Sequence, residues 1–133
     1  AISLLTSLPP ARLLPIVVEG ARDRRKQAVR RQCLEYTRFV LCTYSSAEVE
    51  RCGSLLDHCF SQALIEEHAL ESRVVGPTLA DAFAAFEEHW PQAAAGILRA
   101  CSAATRATLA EAHEHFQGTS AADRAFARAA TMT

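Results

Sequence analysis

No stretch of this sequence alternates cleanly between apolar and polar residues, and no Asn-Gly or Asp-Gly pair marks a tight hairpin. Strands normally announce themselves by one or the other, so β structure is not expected. No apolar run approaches the roughly 18 residues that span a bilayer. The opening AISLLTSLPPARLLPIVVEG is apolar, but prolines interrupt it, no charge precedes it and no clear cleavage site follows. It does not read as a secretory signal. The five cysteines, Cys33, Cys42, Cys52, Cys59 and Cys101, are odd in number and contain no C-x-x-C pair. Most fall on apolar faces of predicted helices. That fits buried thiols in a reducing compartment better than a disulfide framework, and the cytoplasm is the expected location.

Catalytic signatures are also missing. There is no G-x-S-x-G, no phosphate-cradling glycine loop and no H-E-x-x-H, so neither an enzyme nor a cofactor is expected. Cys52, His58 and Cys59 share one predicted helix but lack the close ligand spacing of a zinc site. His113 and His115 are two apart and point to different sides of a helix. No metal is expected.

What remains is enough for one domain. The chain has 133 residues, half of them apolar, which supports a core and argues against disorder. An all-α fold of antiparallel helix pairs is expected. Pro10 suits a first helical position, and Leu14, Val17, Val18 and Ala21 share a face, with Gly20 as the stop of a helix over Pro10–Glu19. Pro15 lies further in and predicts a bend or a first-turn adjustment. A second helix runs from Lys26 to Thr43, with Val29, Cys33, Tyr36, Val40 and Thr43 inward, Leu34, Thr37 and Leu41 widening that face, and Asp23 as a cap. Arg31 and Glu35 are placed to pair on its surface.

The S-x-x-E of Ser45 to Glu48 has capping-box spacing and opens a third helix to Glu66. Gly76-Pro77 interrupts the early part of a fourth, which is expected to start after Pro77 or to kink there, and which carries Leu79, Ala82, Phe83, Phe86 and Trp90. Pro91 begins a short fifth with Ile97 and Leu98. Ser102 caps a sixth with Leu109, Ala112 and Phe116 inward, stopped by Gly118. Residues 118–133 are Ala-rich and weakly patterned, and are expected to be a weakly ordered tail.

One segment departs from the balanced composition. The chain carries a formal net charge of −1, yet RDRRKQAVRRQC, Arg22 to Cys33, holds six cations and one acid. The residues RLLPIVVEGARDRRKQAVRRQCLEY resemble a HEAT repeat: a helix with an internal proline, a short polar loop, then a helix opening with Val-Arg. More narrowly, the blocks RLLPIV…AVRRQCLEYTRFVL (Arg12 to Leu41) and LESRV…FAAFEEHWPQAAAGIL (Leu70 to Leu98), with SSAEVER between them, resemble the TOG-type tubulin-binding domains of the CLASP family of microtubule-associated proteins. The likeness covers roughly Leu8 to Phe116. It implies a HEAT-repeat α-α superhelix in which residues 1–117 correspond to the last two repeats, and AISLLTS to the end of the preceding helix. Four earlier repeats, with the loop that supplies an aromatic contact to tubulin, are not in this sequence.

The resemblance also implies where a partner would touch. Tubulin is held in that family by the loops inside each repeat, here first the turn with Arg22, Arg24, Arg25 and Lys26, and at its rim Arg73. Guanidinium and ammonium groups on a short turn reach an acidic surface and steer association. The plainer reading is that they are solvated residues at a helix junction. Arg30 lies inside the helix and is expected to brace the neighbouring repeat. The second loop, EEHALES, is acidic and suits an acidic partner poorly, and Glu71 is a candidate cap there. The expected function is therefore a tubulin- or microtubule-binding module acting on microtubule dynamics in the cytoskeleton, the spindle included. The alternatives are a helical scaffold for another protein and a nucleic-acid-binding helical domain. Against nucleic acid, the positive charge is confined to one turn and no recognition-helix motif is evident.

Overall fold

Seven α-helices follow from that pattern in the computed structural model, which describes residues 10–112. Helix α1 spans Pro10–Ala21, α2 Gln27–Thr43, α3 Ser46–Val49, α4 Gly53–Ser61, α5 Gly76–His89 and α6 Pro91–Ala100. A further helix, α7, covers 103–112. The fold of the described residues is all-α, without strands. The expectations for AISLLTS, His113, His115, Phe116, Gly118 and the 118–133 tail lie outside the described residues.

Helix α1 buries Leu13, Leu14, Val17, Val18 and Ala21 and continues through Pro15. Gly20 is not its stop. Among the described residues no glycine takes a positive φ, and a Cβ at Gly20 would collide with the Sγ of Cys33. This glycine lets α1 and α2 approach closely. The inward face of α2 is turned from the expected one. Arg30, Leu34, Thr37, Val40 and Leu41 are buried, while Val29 is 42% exposed and Thr43 is exposed. An arginine in the core position moved the face. Asp23 does not cap α2 either. Its Oδ1 accepts from the backbone N–H of Arg25 at 2.9 Å, closing a turn before the helix. The residue at the cap position, Lys26, makes no side-chain cap bond.

From Ser46 to Glu66 the chain forms one helical run with two changes of pitch. The Ser45 hydroxyl accepts from the Glu48 N–H at 3.3 Å, as the capping spacing predicts. A 3₁₀ turn, Glu50–Cys52, joins α3 to α4, and a π-turn, Gln62–Glu66, ends the run. His68 then adopts a left-handed conformation, φ 51°, which an α-helix cannot continue through. Helix α5 starts at Gly76 rather than after Pro77. A Cβ at Gly76 would strike the Leu70 carbonyl oxygen. The turn before it is held by Ser72, whose Oγ accepts from the Val75 N–H at 3.1 Å. Glu71 does not cap α5, whose cap position, Val75, makes no side-chain cap bond.

Helix α5 is buried on most sides, through Leu79, Ala80, Ala82, Phe83, Ala84, Ala85 and Phe86. Phe60 of α4 meets Phe83 edge-on at 5.6 Å and Phe86 at 5.0 Å. Pro91 opens α6 and Ser102 accepts from the Thr105 N–H at 3.2 Å to cap α7, both as expected.

Hydrogen bonds between elements define their direction. The starts of α2 and α5 meet where Ser72 bonds Gln27 at 3.4 Å. Their ends meet where His89 bonds the Leu41 carbonyl at 2.5 Å. These two helices therefore run side by side in the same sense, with matching ends. The end of α1 likewise reaches the end of the 46–66 run, through Arg22 and Gln62 at 3.1 Å. The turn at 22–26 and the turn at 67–75 consequently lie together on one edge. The junctions at 44–45 and 90 lie together on the other.

Candidate functional site

The edge with the two turns carries Arg22, Arg24, Arg25, Lys26 and Arg73, the cations expected to meet a partner. Its foundation is a carboxylate. The i−5 backbone bond of the π-turn, Glu67 N–H to Gln62 carbonyl at 3.0 Å, sets the position of Glu67. Both its own side chain and that of Arg30 are only 5% exposed. Arg30 Nη2 lies 2.5 Å from Glu67 Oε1, and Arg30 Nε donates to the Ala21 carbonyl at 2.7 Å. The buried guanidinium thus ties the end of α1 and the start of α2 to the second turn. A buried pair of this kind is stable only while both partners are present and further bonds satisfy them.

The second oxygen of Glu67 faces outward. Arg24 Nε lies 3.3 Å from it, with the Arg24 side chain 71% exposed, and Gln62 Nε2 donates to it at 3.5 Å. Gln62 also accepts from Arg22 Nε. Arg22 is half-buried, whereas Arg25 and Lys26 are exposed. Neither Arg25 nor Lys26 has an ion-pair partner among the described residues. Gln27 Nε2 donates to the Arg24 carbonyl at 2.9 Å and, with the Asp23 bond, fixes the turn's backbone. Arg73 is exposed on the neighbouring turn. Arg31 pairs with Glu35 at 3.8 Å on the far side of α2, as expected.

The structure therefore divides the predicted cations. Arg22 and Arg24 are engaged with the second turn, and Arg25, Lys26 and Arg73 project their charge into solvent. Sequence reasoning missed Glu67, whose signal lies in a glutamate pair, Glu66 and Glu67, with no helical periodicity to single out one of them. It also missed His89. The ring accepts from the Ser46 hydroxyl at 2.7 Å through Nδ1 and donates from Nε2 to Leu41.

Among the described residues no group of three His, Cys, Asp or Glu side chains converges as metal ligands, and no helix is long and apolar enough to cross a membrane. No disulfide joins any two of the five cysteines. Burial pushes the Cys59 thiol up to about 11; the nearby guanidinium groups of Arg30 and Arg22 oppose that shift. Desolvation also raises Cys33, Cys52 and Cys101. These thiols are poor nucleophiles at neutral pH. Compared with known proteins, the chain matches no family model, no curated protein and no solved structure.

Proposed function

We propose that this chain is a non-enzymatic docking module of stacked helical pairs, of the HEAT-repeat α-α superhelix type, that binds an acidic protein surface through the edge carrying Arg25 and Lys26. The partner we propose is tubulin or the microtubule lattice, which places the module on cytoplasmic microtubules and the spindle. The observation that carries this reading is the pair of exposed cations on a turn whose backbone is held by Asp23 and Gln27. A rigid turn with solvent-facing charge loses little freedom on docking and steers an acidic partner from a distance. The matching ends of α2 and α5 support the stacked-pair architecture, and the sequence resemblance supports the partner. Arg22 and Arg24 contribute field, and Arg73 a rim contact.

A specific observation favours a second reading. Glu67 already neutralises part of the turn, which weakens the attraction for a strongly acidic partner and suits a scaffold for a less charged protein. Microtubule co-sedimentation separates the two. Arg25→Glu with Lys26→Glu abolishes pelleting if the first reading holds, and the wild-type affinity falls as salt rises. Unchanged pelleting on charge reversal removes the edge from the interface. Tighter binding to duplex DNA than to microtubules at physiological salt would favour a nucleic-acid role.

A further inference from the structure

Ser46 opens α3 directly after Ser45, and both side chains are exposed. Their hydroxyls are held differently. Ser45 Oγ is engaged inside its own turn: it accepts from the Glu48 N–H at 3.3 Å and donates to Glu48 Oε1 at 3.2 Å. Ser46 Oγ instead lies 2.7 Å from Nδ1 of His89, 43 residues away at the end of α5. The other ring nitrogen, Nε2, lies 2.5 Å from the Leu41 carbonyl oxygen. A carbonyl oxygen only accepts, so Nε2 carries the hydrogen. In the neutral ring Nδ1 then holds a lone pair, and the Ser46 hydroxyl must be the donor. Trp90 packs against the half-buried imidazole at 5.5 Å and helps to fix its plane. We propose that Ser46 is a nucleophilic acceptor for activated acyl groups, with His89 as its general base and the Leu41 carbonyl orienting that base.

An activated serine needs a hydroxyl within hydrogen-bond reach of a basic nitrogen and a third group that holds the base in place. All three are present here. Ser46 Oγ attacks the carbonyl carbon of an ester or thioester, and a C–O bond forms while the hydroxyl proton passes to Nδ1. The bond from that carbon to the leaving oxygen or sulfur then breaks. The leaving group takes the proton from Nδ1, and the ring returns to its starting form. The product is an O-acylserine. It has no hydroxyl hydrogen left to donate, so modification removes the Ser46–His89 bond that ties α3 to the end of α5. Neither residue belongs to the edge proposed for docking, and the site is independent of that reading.

Treatment of the full chain with p-nitrophenyl acetate tests the assignment, with the acetyl group located by fragmentation of the peptide that holds both serines. Ser45 is the internal control, since it shares the segment and the exposure but faces a carboxylate, a weaker base than imidazole. Acetylation at Ser46 should run about a hundredfold faster than at Ser45, the size of effect that a positioned base supplies. His89→Gln keeps a donor for the Leu41 carbonyl but has no basic nitrogen, and should bring Ser46 down to the rate of Ser45. Equal rates at the two serines of the wild-type chain overturn the proposal, and this comparison needs no variant to fold. Faster labelling of Ser46 that persists in both His89→Gln and His89→Ala overturns it as well, because the base would then play no part. Acetyl groups found elsewhere on the chain but not on Ser46 have the same consequence.

Discussion

The two edges of the helical layers are closed by different chemistry. At the edge with the turns, closure is ionic: Glu67 gathers Arg30, Arg24 and Gln62 over a buried thiol, Cys59. At the opposite edge, closure is neutral and aromatic. His89 bridges Ser46 and Leu41, and Trp90 packs against Phe86 at 5.3 Å with the rings tilted by 41° and covers Gly53, where a Cβ would come within 2.9 Å of the indole nitrogen. At the neutral edge the described hydrogen bonds join Ser46, His89 and Leu41 to one another. The ionic edge uses one carboxylate for stability and leaves Arg25 and Lys26 unspent. Structural roles and the proposed binding role can therefore be separated residue by residue along a single turn.

Removing the central carboxylate should have the largest effect. Glu67→Ala strands the buried Arg30 charge and is expected to cost about 3–5 kcal/mol in denaturant unfolding. A loss below about 1 kcal/mol would mean that water reaches Arg30 and the edge is not closed by this pair. Next comes pH. The folded chain holds the Cys59 thiol near 11, against an unfolded value of about 9. A raised folded value means that its stabilising contribution is complete below pH 9 and is lost as pH rises through 11. Stability should thus fall by about 2 kcal/mol over that window, and Cys59→Ala should flatten that part of the profile.

The neutral edge should respond less. His89→Ala removes two hydrogen bonds and is expected to cost about 1–2 kcal/mol, with no effect on microtubule pelleting. A loss of pelleting there would erase the functional difference between the edges. The smallest effect on stability belongs to the residues proposed for binding. Arg25→Glu with Lys26→Glu should change the unfolding free energy by less than about 0.5 kcal/mol. A larger change would show that these cations also hold the fold.

Helix existence was legible because apolar spacing and end signals agree. The Ser45 and Ser102 caps and the Pro91 start were all readable, since each acts within its own turn of chain. Failures came where a residue's role depends on distant chain. Arg30 occupies a core position because Glu67 compensates it from 37 residues away. The expectation that Arg30 braces the next helical pair does not by itself place it in the core, so the predicted face of α2 runs through Val29 and Thr43. Gly20 resembles a helix stop until Cys33 is placed against it. Of the edge, the cations were legible as charge, but which of them remain open was not, because that depends on Glu67 and Gln62.

The distance between Arg30 and Glu67 along the chain also orders events in time. A ribosome delivers α1 and α2 well before the π-turn that positions Glu67. Until then Arg30 has no counter-ion, and the first two helices cannot close around it without leaving a bare charge inside. Docking of this hairpin must wait for the second pair to emerge, so the two pairs are expected to fold in one cooperative step rather than one after the other.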